Sequence, residues 1–379
     1  MNWKKELERN LLDNIIPFWD RLIDHEYGGV YGECSNHGVI KKDALKGAVY
    51  LSRLLWSYAK LYKRYQDEKF YNHATWIFDF IEKNMYDKEN GGIVWAVEFD
   101  GKVHDNQKHL YAQCFYLYAI SEYYSVSNNP ICLQRIEEVV NIIEKNLIDF
   151  PNNYYEAYTY DFKPIENKIM YGYDMLPEIT TNTLLHLAEG ISSCYVYTKN
   201  KKYQAIVLKL LDIIFEYGYD KENSNLYQFL NYKLENQTDV ISYGHNIEVS
   251  WLFKKIIDDT NLDCPKYLFL LKELAIKTIN EGFNGNYLHN ERLNGILDTS
   301  AIWWVQAECL VGLKYYFEEE KMISLFKYIK NKLITEEEWL WGRTPSEEVM
   351  TNHNQAEMWK ANYHNIRAIL EITGDDYGK

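Results

Sequence analysis

Two histidines in aromatic, acid-flanked settings carry the clearest chemical signal in the chain. One lies in Ser242-Tyr243-Gly244-His245-Asn246-Ile247-Glu248, the other in Trp359-Lys360-Ala361-Asn362-Tyr363-His364-Asn365. Imidazole titrates near neutral pH, so two such groups can move protons at one substrate without a cofactor. His245 and Glu248 are three residues apart and fall on one helical face. A carboxylate so placed can hold an imidazole tautomer and raise its basicity. An ordinary surface pair would require the apolar neighbours Ile247, Val249, Trp251 and Leu252 to be exposed. A metal reading is weaker: His and Glu are both ligands, but a catalytic zinc takes three protein ligands and no compact HExxH or HxH pattern is present. No metal is expected.

The elements that must position these groups emerge when the chain is aligned on itself. Six segments resemble one another: Tyr50–Tyr65, Tyr111–Tyr124, Leu184–Tyr197, Ile247–Ile257, Trp304–Phe317 and His364–Ile372. Each is apolar or aromatic around most of its circumference, which predicts helices buried on most sides. Six amphipathic patterns alternate with them: Lys4–Ile23, Asn72–Met85, Leu133–Leu147, Tyr203–Tyr217, Lys266–Glu281 and Lys321–Leu333. Outer helix, loop, inner helix, repeated six times, predicts an all-α (α/α)6 barrel of six inner and six outer helices. The loops repeat as well. Asp24-His25-Glu26-Tyr27-Gly28-Gly29 matches Asp87-Lys88-Glu89-Asn90-Gly91-Gly92, with Asp220-Lys221-Glu222-Asn223 as a degenerate third copy. Alternating stretches such as Ile93–Phe99, closed by Asp100-Gly101, predict short hairpins at one end of the barrel. No low-complexity linker interrupts the chain, so residues 1–379 are expected to form a single domain.

In such a barrel the long loops feed the inner helices from one end, and residues at the inner-helix N-termini converge on one cavity. The unusual polar and aromatic residues gather there: Arg53, His109 and Tyr111, Asn182 and His186, His245 and Glu248, Trp303 and Trp304 with Glu308, and Trp359 and His364. A lone histidine beside apolar residues is ordinarily a satisfied core residue. Arg53 alone would suit a loop carboxylate, and the paired tryptophans would suit a core. Recurrence at the same point of five repeats argues for a shared site instead.

Composition narrows the partner. A net charge of −14 argues against nucleic acid, which needs a basic footprint. Aromatic residues make up 16%, with 34 Tyr and 11 Trp. Flat rings with polar tips suit a carbohydrate, which has apolar faces and hydroxyl edges. Six scattered cysteines read as buried reduced thiols, not a disulfide framework or zinc site. The N-terminus Met1-Asn2-Trp3-Lys4-Lys5-Glu6 is charged where a signal peptide needs an apolar core, and no apolar run approaches a span of roughly 20 residues. A cytoplasmic protein with no membrane association is expected, as a monomer or weak homodimer.

The motifs together resemble the N-acylglucosamine 2-epimerase superfamily, and within it the cellobiose 2-epimerase branch. The matching stretches are Lys42–Arg53, Lys108–Gln113, Asn182–His186, Ser242–Glu248, Trp303–Glu308 and Trp359-Lys360 with Tyr363-His364-Asn365. Their order and spacing are specific; any single piece is weak. The resemblance implies an (α/α)6 barrel, a small sugar substrate, no cofactor, and epimerisation at C2 of a reducing-end aldose, with cellobiose to 4-O-β-glucosyl-mannose as the expected reaction. It assigns His245 and His364 as acid/base groups and Glu248 as the partner of His245. Arg53, Tyr111, Asn182, His186 and Glu308 become substrate-binding groups, and Trp303, Trp304 and Trp359 stacking surfaces. Ile179-Thr180-Thr181, Ala301-Ile302 and Ala361-Asn362 depart from the family pattern beside the site. They leave open a mannose 2-epimerase or an aldose–ketose isomerase acting on a monosaccharide.

The C2 proton of an aldose is acidified by its carbonyl, so the ring must open first. One histidine then removes the proton, donors stabilise the enediolate, and a second histidine returns a proton to the other face. Return to C1 instead would give a ketose. A glycoside hydrolase on the same barrel would need two opposed carboxylates, for which Glu308 and Glu248 are the candidates, and would leave the histidines idle. A non-catalytic sugar-binding barrel would keep the tryptophans and tolerate loss of either histidine.

Overall fold

A computed structural model describes residues 2–170 and 172–374. Among them the inner helices are α2 (Ala48–Tyr65), α4 (Leu110–Ser127), α6 (Thr181–Thr198), α8 (Tyr243–Thr260), α10 (Trp303–Tyr316) and α12 (Tyr363–Thr373). Each packs on the next, and α12 returns to α2, closing a ring. The outer helices are α1 (Trp3–Asn10, continued through a π-helical turn at Leu11–Ile15 into Ile16–Asp20), α3 (Glu68–Asn84), α5 (Pro130–Leu147), α7 (Lys201–Ile213, ending in a π-helical turn at Ile214–Gly218), α9 (Pro265–Gly282) and α11 (Glu319–Lys332). This is the (α/α)6 barrel that the repeat predicted.

The two ends of the barrel are built differently. At one end an inner helix passes to the next outer helix through almost no loop. Gln66, Asn128 and Lys199 end α2, α4 and α6 in the left-handed region, with φ of 55°, 53° and 55°. The next residues, Asp67, Asn129 and Asn200, cap α3, α5 and α7 by accepting from the backbone N–H two residues on. A left-handed stop followed at once by an N-cap folds the chain back on itself. At the other end the loops are long and carry the site.

Those long loops form two- and three-stranded ladders, five of them from a strand just before an inner helix. Lys46–Gly47, before α2, pairs with Ala96–Val97; Lys108–His109, before α4, pairs with Ala157–Tyr158. Ile179–Thr180 pairs with Phe229–Leu230, Ile241–Ser242 with Glu291–Leu293, and Ala301–Ile302 with Gly342–Arg343. In every case the partner strand lies beyond the following outer helix. The sixth link joins the two ends of the chain, where Cys34 bridges Ala356. The expected hairpin after Ile93 is present as Ala96–Val97 against Val103–Asp105.

The Asp-to-Gly-Gly loops have a shared anchor. Lys46 Nζ donates to Asp24 Oδ2 and to the Gly28 carbonyl, both at 2.6 Å. Lys108 Nζ donates to Asp87 Oδ2 at 2.5 Å and to the Gly91 carbonyl at 2.6 Å. Both ion pairs are fully buried, so each fixes a loop to the strand that enters the next inner helix. One apolar core runs from Leu7 to Ile372. Five cysteines are buried in it, but Cys264 is only partly covered, because it sits at the start of the outer helix α9. No helix among the described residues is long and apolar enough to cross a membrane.

Candidate active site

The inner-helix N-termini surround a cavity of about 460 Å³ lined by Arg53, Tyr111, Asn182, His186, His245, Glu248, Trp303, Trp304, Trp341, His353, Glu357, Trp359 and His364. Six helix N-termini directed at one space give it a positive potential, suited to an anion that forms there. Local sequence sets each start: His109, Thr180 and Ser242 cap α4, α6 and α8 with their side chains. His109 is occupied in this way, with Nδ1 accepting from the Tyr111 N–H and Nε2 on Asn167 Oδ1.

Trp304 is in contact with both principal histidines. Its ring centroid lies 4.9 Å from that of His245 and 5.7 Å from that of His364. Burial holds His245 at a pKa of about 4, against a smaller opposing pull from Glu248. Burial, with Arg53 and Arg367 adding to it, holds His364 well below the ordinary imidazole range. Both rings are therefore neutral at neutral pH, which is the form that accepts a proton.

The support behind the two rings differs. His364 Nδ1 donates to Glu308 Oε1 at 2.6 Å. His245 Nδ1 is buried without a protein partner. The expected His245–Glu248 hydrogen bond does not form, because Glu248 Oε1 instead accepts from Arg367 Nη2 at 2.5 Å. A buried guanidinium outcompetes a neutral imidazole for a carboxylate. Glu308, expected to touch substrate, lies behind His364 and outside the cavity lining; it accepts from His364, from Arg367 Nη2 at 2.7 Å and from Trp251 Nε1 at 3.1 Å.

Arg367 is the main residue the sequence reading missed. Its guanidinium is fully buried, reaches Glu189, Glu248 and Glu308 on three successive inner helices, and lies over the rings of Tyr363 and Trp251. Its signal was the spacing already applied to His245: Arg367 follows His364 by three residues, as Glu189 follows His186. Glu248, Glu308 and His364 are the one group of metal-type donors among the described residues, with ligand atoms within 4.8 Å of one another. The Arg367 guanidinium donates to both of those carboxylates, so the positive charge such a group attracts is supplied by the chain itself.

The remaining predicted residues come together. Arg53 Nη2 donates to the Tyr111 hydroxyl and Nη1 to the Trp359 carbonyl, both at 3.1 Å, so Arg53 meets no loop carboxylate. Asn182 and Arg53 both line the cavity, and Asn182 Oδ1 and Arg53 Nε are buried without protein partners. Trp359 is 38% exposed at the mouth. Trp304 is half-buried, while Trp303 is buried against Trp341 at 4.5 Å. Trp341 stacks on His353 at 4.2 Å with an angle of 7° between the rings. With Glu357 these two extend the lining outward. None of the three was predicted, because they lie on loops without helical periodicity.

Two buried neutral imidazoles in contact with one indole, at the inner-helix N-termini of an (α/α)6 barrel, are groups that could move a proton at a bound sugar. Comparison with known proteins agrees. The model of the N-acylglucosamine 2-epimerase (GlcNAc 2-epimerase) family matches residues 29–368. The cellobiose 2-epimerase of Dictyoglomus turgidum is 34% identical over 97% of this chain and 97% of its own length. That of Eubacterium cellulosolvens is 32% identical over 96% of each. The solved cellobiose 2-epimerase of Bacillus thermoamylovorans superposes with a TM-score of 0.94 at 29% identity, covering 99% of this chain and 100% of that one. The chain belongs to the N-acylglucosamine 2-epimerase family and is a carbohydrate epimerase.

Proposed function

We propose that the chain epimerises cellobiose at C2 of its reducing-end glucose, giving 4-O-β-glucosyl-mannose, with His245 and His364 as the two proton-transfer groups. The observation that carries this reading is the placement of the two imidazoles in one cavity, both in contact with Trp304 and both held neutral by burial. The opened sugar would present C2 between them. One ring takes the C2 proton and becomes imidazolium. Arg53 and the helix N-termini stabilise the enediolate oxygens. The other ring takes up a proton from solvent and delivers it to the opposite face of C2, the first ring gives up its own to solvent, and ring closure gives the epimer.

Two observations favour a disaccharide over a monosaccharide. Relatives at 32% and 34% identity, matched over nearly their whole length, are cellobiose 2-epimerases. The cavity also continues past the histidines along Trp303, Trp341 and His353, offering ring faces to a second sugar. Its volume of about 460 Å³ falls in the span of roughly 300–1,000 Å³ typical of ligand cavities.

The test is incubation with cellobiose in heavy water, followed by separation of products. The expected product is 4-O-β-glucosyl-mannose carrying deuterium at C2. Free glucose would indicate a hydrolase, a ketose as the sole product would indicate an isomerase, and turnover of mannose without turnover of cellobiose would move the substrate to a monosaccharide.

A further inference from the structure

Glu189 does not line the cavity, yet it is wired to two residues that do or that back them. It lies on α6, three residues after His186, and both side chains are almost wholly buried. Its Oε2 accepts from His186 Nδ1 at 2.8 Å. Its Oε1 accepts from the Tyr363 hydroxyl and from Arg367 Nη1, both at 2.8 Å. Burial alone would raise its pKa, but Arg367, His186 and Tyr363 outweigh that and hold it at about 2. Glu189 is thus a carboxylate at any working pH.

A carboxylate only accepts hydrogen bonds. The shared proton must therefore sit on His186 Nδ1, and a neutral His186 turns a bare Nε2 toward the cavity it lines. Aromatic contacts keep the ring in that pose: Tyr111 meets it edge-on at 5.4 Å and Phe115 at 4.6 Å. Arg367 repeats the arrangement on the other side of the site, where Nη2 binds the Glu308 carboxylate that accepts from His364 Nδ1. One guanidinium thus anchors both carboxylates that orient cavity histidines, while His245 has none.

We propose that Glu189 is a positioning residue for the epimerisation: it fixes His186 as the Nδ1–H tautomer, so that Nε2 accepts a hydrogen bond from a hydroxyl of the bound sugar. The role in turnover rests on the cavity being the sugar site. The tautomer does not, and can be read without substrate.

The experiment is a long-range ¹⁵N–¹H spectrum of the labelled full chain, free of ligand, with the His186 signals assigned by their loss in His186→Asn. In the wild type His186 should be the Nδ1–H tautomer. In Glu189→Gln the amide can turn its NH2 toward the ring, and His186 should shift toward the Nε2–H form. In the same variant kcat/KM for cellobiose should fall on the order of 10- to 100-fold, as when a hydrogen-bonded supporting partner is lost elsewhere. A wild-type His186 in the Nε2–H form overturns the proposal, whether or not the variant folds. So does a Glu189→Gln enzyme with wild-type kcat/KM, or one that loses activity while its His186 tautomer is unchanged, which is what a purely structural role would give. Failure of the wild type to epimerise any sugar would overturn the functional reading alone.

Discussion

At the scale of single residues, the proposed chemistry depends on two imidazoles that burial keeps neutral but that are supported differently. If both flank C2, His245→Asn and His364→Asn should each lower cellobiose epimerisation at least about 10³-fold, since general acid–base groups contribute roughly 10²–10⁴-fold each and neither can serve both faces. Each variant should still exchange the C2 proton of one epimer with heavy water, and the two should act on opposite epimers. Two variants that remain active, or that exchange the same epimer, would refute the assignment. A proton acceptor works only above its pKa. With His245 held at about 4, the acid limb of kcat/KM should lie well below 6.5, and a limb at the ordinary histidine pKa would contradict the burial argument. Much of this site was legible in sequence, because Arg53, Asn182, His186, His245 and Trp303 each stand out from an apolar helix. What was not legible was which carboxylate serves which histidine. Glu189, Glu248 and Glu308 are equivalent on paper, and only the folded geometry shows that Glu189 serves His186, Glu308 serves His364 and Glu248 serves neither.

At the scale of elements, every inner helix was legible from its all-round apolar character, but its N-terminus was set too late. Ile247–Ile257 was expected and Tyr243–Thr260 is observed. The first turn carries Gly244, His245 and Asn246, so a residue of the site and its neighbours erase the apolar pattern that reveals the helix. Apart from the hairpin after Ile93, the strand ladders were hidden for a different reason: at two or three residues each they are too short to show a period of two. Helix packing depends on residues whose contribution is the absence of a side chain. A Cβ on Gly190 would lie 2.6 Å from the Cys114 carbonyl oxygen on α4. One on Gly312 would lie 2.4 Å from Cγ1 of Ile247 on α8. The first neighbour is backbone and cannot move without shifting a helix; the second is a side chain with other rotamers. Ala in place of Gly gains about 1 kcal/mol in helix propensity, while overpacking typically costs about 1–3 kcal/mol. Gly190→Ala should therefore lower Tm clearly, and Gly312→Ala less. Equal or reversed shifts in thermal melts would show that the backbone contact does not limit the approach of α4 and α6.

At the scale of the whole molecule, the sixth repeat is assembled from both ends of the chain. Outer helix α1 packs on α12, Cys34 bridges Ala356, and Arg64 on α2 donates to the carbonyls of Thr373 and Gly374. The helix that carries His364 and Arg367 is thus covered by the start of the chain, which ties the site to closure of the ring. The number of repeats implied this closure, but the registry of the Cys34 link has no local signal. Burying ionisable groups in the closed barrel also sets its response to acid. His109 and His245 are held at about 4 by burial, against an unfolded value near 6.5. Between those values the unfolded chain binds a proton that the folded chain does not, so stability is full above 6.5 and declines as pH falls toward 4. By pH 5 each histidine removes about 2 kcal/mol, and His364 acts in the same direction. Glu156 opposes them, and the buried carboxyls of Glu308 and Glu338, also raised by burial, act with it. The Glu156 carboxyl is raised to about 7 although Thr180, Thr183 and Tyr154 donate to it, so it favours the fold below its unfolded value near 4.5 and loses that contribution as pH rises through 7. From pH 7 to pH 5 it returns about 2 kcal/mol, against about 4 kcal/mol lost at the two histidines. The two substitutions should therefore move the change in melting temperature from pH 7 to pH 5 in opposite directions: His245→Asn should make acidification less destabilising, and Glu156→Gln should make it more so. A change unaltered by both substitutions would mean that these buried groups do not govern the acid response of the barrel.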